Sequence, residues 1–95
     1  MKPATYEEFE SAARAQGFDE VLVREWTPGQ VIATHVHPFE VKALVVRGEV
    51  SLTVGDSTRS IRAGEGFELA RDLPHAEHYG EQGATFWVAR RHKTA

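Results

Sequence analysis

Apolar residues recur along this chain with two different periods, and the change comes near residue 19. In residues 5–16, "TYEEFESAARAQ", the positions Tyr6, Phe9, Ala12 and Ala13 repeat at three- and four-residue spacing and form one stripe, the mark of an amphipathic helix. Thr5 followed three residues later by Glu8 fits a capping box. Glu7, Glu8 and Glu10 fall in the first turns, where the helix dipole favours negative charge. Gly17 suits the left-handed position that ends such a helix. Residues 1–19 are therefore expected to form one helical segment packed on the outside of the main body.

From residue 20 onward the pattern alternates. "EVLVREW" (20–26), "VIATHVH" (31–37), "VKALVVR" (41–47), "EVSLTV" (49–54), "STRSIR" (57–62), "FELA" (67–70), "HAEHY" (75–79) and "ATFWVARR" (84–91) read as short strands, with Gly or Pro punctuation between them. About eight or nine strands at such spacing predict an all-β sandwich or small barrel over residues 20–95, within one domain overall. "VKALVVR" departs from strict alternation. Val41, Ala43 and Val45 share one face, while Leu44 and Val46 share the other with Lys42. A strand apolar on both faces is covered on both, here by the helix, the opposite sheet or a second subunit. A homodimer is the expectation drawn from it.

Composition narrows the chemistry. The 95 residues contain no cysteine, which excludes disulfides, thiolate catalysis and cysteine-held zinc or iron–sulfur sites. Any metal must sit on histidine and carboxylate. A net charge of -3 argues against a general electrostatic grip on nucleic acid. The run Arg90-Arg91-His92-Lys93 reads as a solvated tail. No apolar run is long enough to span a membrane, and the acidic N-terminus lacks a secretory core, so the cytoplasm is the expected compartment.

The candidate chemistry centres on His35-Val36-His37. Residues i and i+2 of a strand share a face, about 6.6 Å apart, so two imidazoles can lean onto one ion. The pair alone does not choose among zinc, copper, iron and nickel, and an isolated pair of this kind is often structural.

Its surroundings add a pattern. Gly29, His35, His37 and Gly48, then Gly64 and His75, match the two cupin motifs, G-x5-H-x-H-x3,4-E-x6-G and G-x5-P-x-G-x2-H-x3-N. Over roughly residues 20–90 the chain resembles the small single-domain cupins of the RmlC-like jelly-roll superfamily. The resemblance implies a jelly-roll β-barrel with a short N-terminal helix. It also implies a divalent transition metal (zinc, iron, nickel or manganese) held by His35, His37 and His75.

Departures from the motifs bear on function. The family's metal-binding glutamate falls on Val41, or on Lys42 with the longer spacer, and neither can replace it. Glu40 is one residue off and would face the site only through a local bulge. In the second motif Ala70, Asp72 and Tyr79 stand where the family has proline, glycine and asparagine. Glu77 is in phase with His75 and is expected on the interior face. Three placements stay open for it: a metal ligand, a group that supports the ligands from behind or is ion-paired with Lys42, or a solvated residue at the mouth. Glu77 and Tyr79 are the candidates for a catalytic role. His78 is out of phase and expected on the surface, and His92 lies in the tail. Phe39, Phe67, Phe86 and Trp87 read as packing residues with one or two on the pocket wall, and Trp26 as a cover for sheet or helix.

Three functions remain open on this reading. The first is a metal-binding cupin acting on a small polar molecule, with oxygenase- and isomerase-type chemistry undistinguished and dioxygenation suggested by resemblance only. The second is a non-catalytic small-ligand sensor, and the third a metal-free dimeric interaction module. A short chain implies a modest pocket and a small-molecule ligand.

Overall fold

The computed structural model describes residues 3–93. Its elements run α1 (Tyr6–Ala15), β1 (Glu20–Trp26), β2 (Val31–His35), β3 (Glu40–Val54), β4 (Ser57–Arg62), β5 (Gly66–Leu69) and β6 (His75–Arg91). Residues 1–2 and 94–95 of the two expected segments lie outside the described residues. The helix begins as expected: the Glu8 amide donates to the Thr5 hydroxyl at 3.1 Å, and the Glu8 carboxylate accepts from the Thr5 amide. No helix among the described residues is long and apolar enough to cross a membrane.

Among the described residues the strands number six rather than eight or nine, because two expected breaks are bends. "VKALVVR" and "EVSLTV" are one strand, β3, and "HAEHY" and "ATFWVARR" are one strand, β6. The two long strands pair antiparallel, with register shifts between Val45 and Arg47 and between Gly48 and Val50. Such bulges increase twist and let a strand bend without leaving its ladder. Gly48 makes the bend possible. Its φ is 77°, and a Cβ there would lie 2.0 Å from the Gly83 carbonyl oxygen.

The bends divide the antiparallel assembly into two halves that share β3 and β6. In one, β1 pairs with residues 84–90 of β6, which pair with the first part of β3, which pairs with β5. In the other, β2 pairs with residues 75–78 of β6, then comes the second part of β3, then β4. The inner core draws on both halves, with Val45, Phe67 and Phe86 from the first and Val50, Ile61 and Tyr79 from the second. This is a jelly roll.

A second apolar cluster lies outside. Phe9, Ala13 and Phe18 pack on Ala89, with Val21, Leu44 and Trp87 against them. Leu44, on the outward side of β3, is thus covered by the helix. Lys42 shares that side and donates to the Gln16 side-chain oxygen at 2.9 Å, so it does not curl inward to meet Glu77.

The basic run at the C-terminal end is not a solvated tail. Arg90 and Arg91 close β6, and Arg91 donates to Glu40 at 2.9 Å. The amides of His92 and Lys93 donate to the Asp19 carboxylate at 3.0 and 3.1 Å. The alternation that predicted "ATFWVARR" as a strand already contained these arginines.

Candidate metal centre

His35 ends β2 and His75 begins β6, and the two are cross-strand partners. His37 follows in the irregular stretch after β2, its ring stacked on Phe39 with centroids 4.8 Å apart. A tight turn joins these pieces. The Asp72 amide donates to the His37 carbonyl at 2.8 Å, and the Leu73 amide to the Ala70 carbonyl at 3.2 Å. Asp72 adopts φ 59°, the sole positive φ outside glycine among the described residues. Aspartate is one of the few residues that enters this region at modest cost, which explains how it stands where the cupin motif has glycine. Arg71, beside it, donates to the Pro38 carbonyl and to the Arg91 carbonyl at 3.2 Å, fixing the turn to the end of β6.

The three rings converge. A ring nitrogen of each of His35, His37 and His75 lies within 4.8 Å of those of the other two. The Nε2 atoms of His35 and His37 are 3.2 Å apart. His35 Nδ1 meets the Ala33 carbonyl at 2.8 Å and His75 Nδ1 meets the Leu73 carbonyl at 2.9 Å. A carbonyl only accepts, so each Nδ1 carries a proton, and in the neutral ring the lone pair falls on each Nε2. Backbone carbonyls orient metal-bound histidines in this way.

The donor set fits a divalent ion. Metal–nitrogen bonds of about 2.0–2.1 Å place neighbouring ligand nitrogens roughly 3–3.5 Å apart, as the His35–His37 pair already is. Small ring rotations bring the third into range. His37 is held in its neutral, ligating form, with its pKa lowered to about 4. Burial is the main cause, followed by repulsion from the His35 and His75 imidazoles and then the Arg90 and Arg24 guanidiniums.

Glu77 lies inside, as its phase predicts, and only 8 % of it is exposed. Of its three open placements, the solvated mouth and the Lys42 pair are both excluded. Its Oε1 accepts from the Tyr79 hydroxyl at 2.5 Å, while Oε2 lies 3.8 Å from His35 Nε2 and 4.0 Å from His75 Nε2. That distance suits a fourth ligand, or a carboxylate bonded to whatever the histidines hold. Tyr79 is fully buried and stacks on Trp26, with centroids 4.9 Å apart. Burial first, then the Glu77 hydrogen bond, pushes its pKa far above the ordinary range, so it is a donor at any working pH.

The other candidates fall elsewhere. Val41, on the motif's glutamate position, does point into the cavity. Glu40 is taken by Arg91 and is no substitute. His78 is exposed, and His92 pairs with Glu20 at 2.7 Å on the surface.

A cavity of about 110 Å³ adjoins the histidines, with Val41, Phe67, Leu69 and Phe86 on its apolar side. Sequence reasoning missed its polar lining. Arg24, Trp26 and Arg90 also face it. Arg24 and Trp26 share the inward phase of Leu22 on β1, a signal present in the alternation. Arg90 pairs directly across from Val41.

Comparisons with known proteins agree with this architecture. The family model described as a cupin domain matches residues 22–89. The fold is similar to a Rhizobium leguminosarum protein of unknown function at 18% identity and TM-score 0.71, covering 75% of this chain and 67% of that one. A Klebsiella pneumoniae double-stranded β-helix protein matches at 27% identity and TM-score 0.65, over 75% of this chain and 64% of its own. The dimethylsulfoniopropionate (DMSP) lyase DddQ from Ruegeria pomeroyi matches at 23% identity and TM-score 0.70, over 79% of this chain and 40% of the lyase. No functionally curated protein sequence matches the chain.

Proposed function

The chain belongs to the cupin family, and from that premise we propose that it binds a divalent transition-metal ion through His35, His37 and His75 and uses it to act on a small molecule inside the barrel. The observation that carries this reading is the tautomer lock: carbonyls at 2.8 and 2.9 Å from Nδ1 of His35 and His75 leave both Nε2 lone pairs facing the same point. A purely structural histidine cluster has no need of converging lone pairs. When bound, such an ion polarises a ligand oxygen or lowers the pKa of a water.

The chain's own residues supply the rest. Glu77 is a buried carboxylate with one oxygen occupied by Tyr79 and the other turned toward the histidines. It is placed to hold a proton from whatever molecule enters. Tyr79 fixes that carboxylate in one orientation and is itself held flat against Trp26. The apolar wall excludes bulk water from one side of the cavity, which strengthens polar interactions within it. Zinc, iron, nickel and manganese all suit three imidazoles and a nearby carboxylate.

Metal analysis of protein purified without a nickel column tests the reading. Stoichiometric metal, lost in a His35→Ala/His75→Ala double variant that keeps its circular dichroism, is the expected result. Metal-free protein that cannot be loaded with zinc, iron, nickel or manganese sinks it and leaves a metal-free interaction module. Turnover on a substrate panel then separates an enzyme from a sensor.

A further inference from the structure

Two buried side-chain polar atoms among the described residues have no hydrogen-bond partner, Trp26 Nε1 and Arg90 Nε. Both are donors, and both belong to residues that line the cavity beside the histidines. Buried donors are almost always satisfied, so two orphans in the side chains of one wall point to an acceptor that meets them with a small turn of those side chains.

Arg24 strengthens the case. Its guanidinium stacks over the Trp26 ring, 4.6 Å from the centroid, and it lines the same cavity. Among the described residues it has no carboxylate and no hydrogen-bond acceptor of its own. The other cavity guanidinium, Arg90, sits over Phe39 and shares one terminal nitrogen with Glu20 at 3.4 Å. Among the described residues Glu77 is the only carboxylate on the wall. With Arg90 paired to Glu20 and Glu77 bonded to Tyr79, Arg24 is left as the unmatched charge of the wall before any metal ion adds its own. The position where the cupin motif places a further glutamate is Val41, directly across the ladder from Arg90, so nothing there offsets the excess.

We infer that this cavity takes a small carboxylic acid, with the carboxylate held by Arg24 together with the Trp26 indole N–H and Arg90, and its short carbon chain laid against Val41, Leu69 and Phe86. The planar guanidinium fork matches a carboxylate in geometry as well as charge. At about 110 Å³ the cavity holds only a few non-hydrogen atoms, well below a drug-sized ligand. The apolar wall opposite the arginines favours a hydrocarbon-bearing acid over inorganic phosphate. This inference rests on the metal-centre reading, since the histidines must present their ion to the far end of the same molecule.

The test uses zinc-loaded full-length chain, with zinc measured in every sample, and titration calorimetry with lactate, lactamide and inorganic phosphate. Lactate is expected to bind more tightly than either of the others. Arg24→Met should weaken lactate roughly 10- to 100-fold, the usual worth of a hydrogen-bonded charge, while zinc content and lactamide binding stay unchanged. Arg24→Lys should recover part of the loss. Arg90→Met gives the same readout should Arg24→Met fail to fold. Lactate no tighter than lactamide or phosphate, or an affinity indifferent to both arginine variants in zinc-replete protein, overturns the carboxylate assignment alone. A chain that holds no zinc, iron, nickel or manganese overturns it together with the metal centre.

Discussion

The two faces of one sheet do different work here, although the same strands supply both. On its outer face Val21, Leu44, Trp87 and Ala89 meet Phe9, Ala13 and Phe18 of the helical segment in an apolar cluster, with the Lys42–Gln16 hydrogen bond beside it. On its inner face, one residue along, stand Arg24, Trp26 and Arg90, the last two with an unpartnered buried donor each, next to three histidines and a buried carboxylate. Within β6 alone Trp87 and Ala89 face out while Val88 and Arg90 face in. Native proteins bring polar groups inside only with partners. The outer face follows that rule within itself, and on the inner face two donors, Trp26 Nε1 and Arg90 Nε, are left for the carboxylate inferred above. Stability should therefore be sensitive to the outer face, and ligand and metal binding to the inner.

The sharpest way to break this comparison is Phe9→Ala. Phe9 is buried, only 4 % exposed, and touches Trp87 with centroids 6.1 Å apart. Its loss should cost about 3–5 kcal/mol, read as a fall in the urea midpoint, with zinc stoichiometry unchanged in the fraction still folded. Metal lost in step with stability would show that the two faces are coupled.

Val41→Glu probes the opposite face. It restores a carboxylate where the cupin motif has one, in a wall position that is 8 % exposed. Burying a carboxylate there should destabilise the metal-free protein by roughly 1–3 kcal/mol, since its desolvation exceeds what Arg90 across the ladder returns. Zinc should return more stability to this variant than to the parent, since a fourth ligand joins the three histidines. Equal zinc stabilisation of the two proteins would place the ion away from Val41.

What the sequence disclosed follows from how each signal is written. The helix, β1 and β4 were legible because period and caps act locally. His35, His37 and His75 were legible because spacing within a motif survives folding, and Glu77 because phase along a strand sets its face. The breaks at Gly48 and at Gly80–Gly83 were misread. Glycine marks a reversal and a bend alike, and only the ladder on both sides tells them apart. Lys42 was offered as a partner for Glu77, yet the alternation that turns Val41 and Ala43 inward turns Lys42 out. The arginines were passed over because a charged residue on a strand is ordinarily solvent-facing. Their role emerges only when β1 and β6 are seen to close the cavity beside the histidines.

A smaller effect belongs to the outer face again. Thr5→Ala removes the hydroxyl that accepts from the Glu8 amide at 3.1 Å and breaks the capping box. About 1 kcal/mol of stability should be lost, measured by thermal melting, with lactate and zinc binding at parental values. A change in either affinity would mean that the helix sets the inner face through the sheet beneath it.

The smallest effect separates the faces by pH. His37 titrates at about 4 in the folded chain, against 6.5 for an unperturbed histidine. Between those values the unfolded chain binds a proton at this residue that the folded chain does not. Folding stability should therefore fall as pH drops from about 6.5 to about 4, and this contribution should level off below, where both states are protonated. His37 is partly exposed, so solvent screening reduces its share to on the order of 1 kcal/mol. His37→Gln should flatten that slope, whereas Phe9→Ala should lower the whole stability curve and leave the slope as it is. Zinc should steepen the parent's slope, because protons and metal then compete for the same nitrogens. An unchanged slope in His37→Gln would place the acid sensitivity on other groups, and the inner face would lose its claim to be the pH-dependent one.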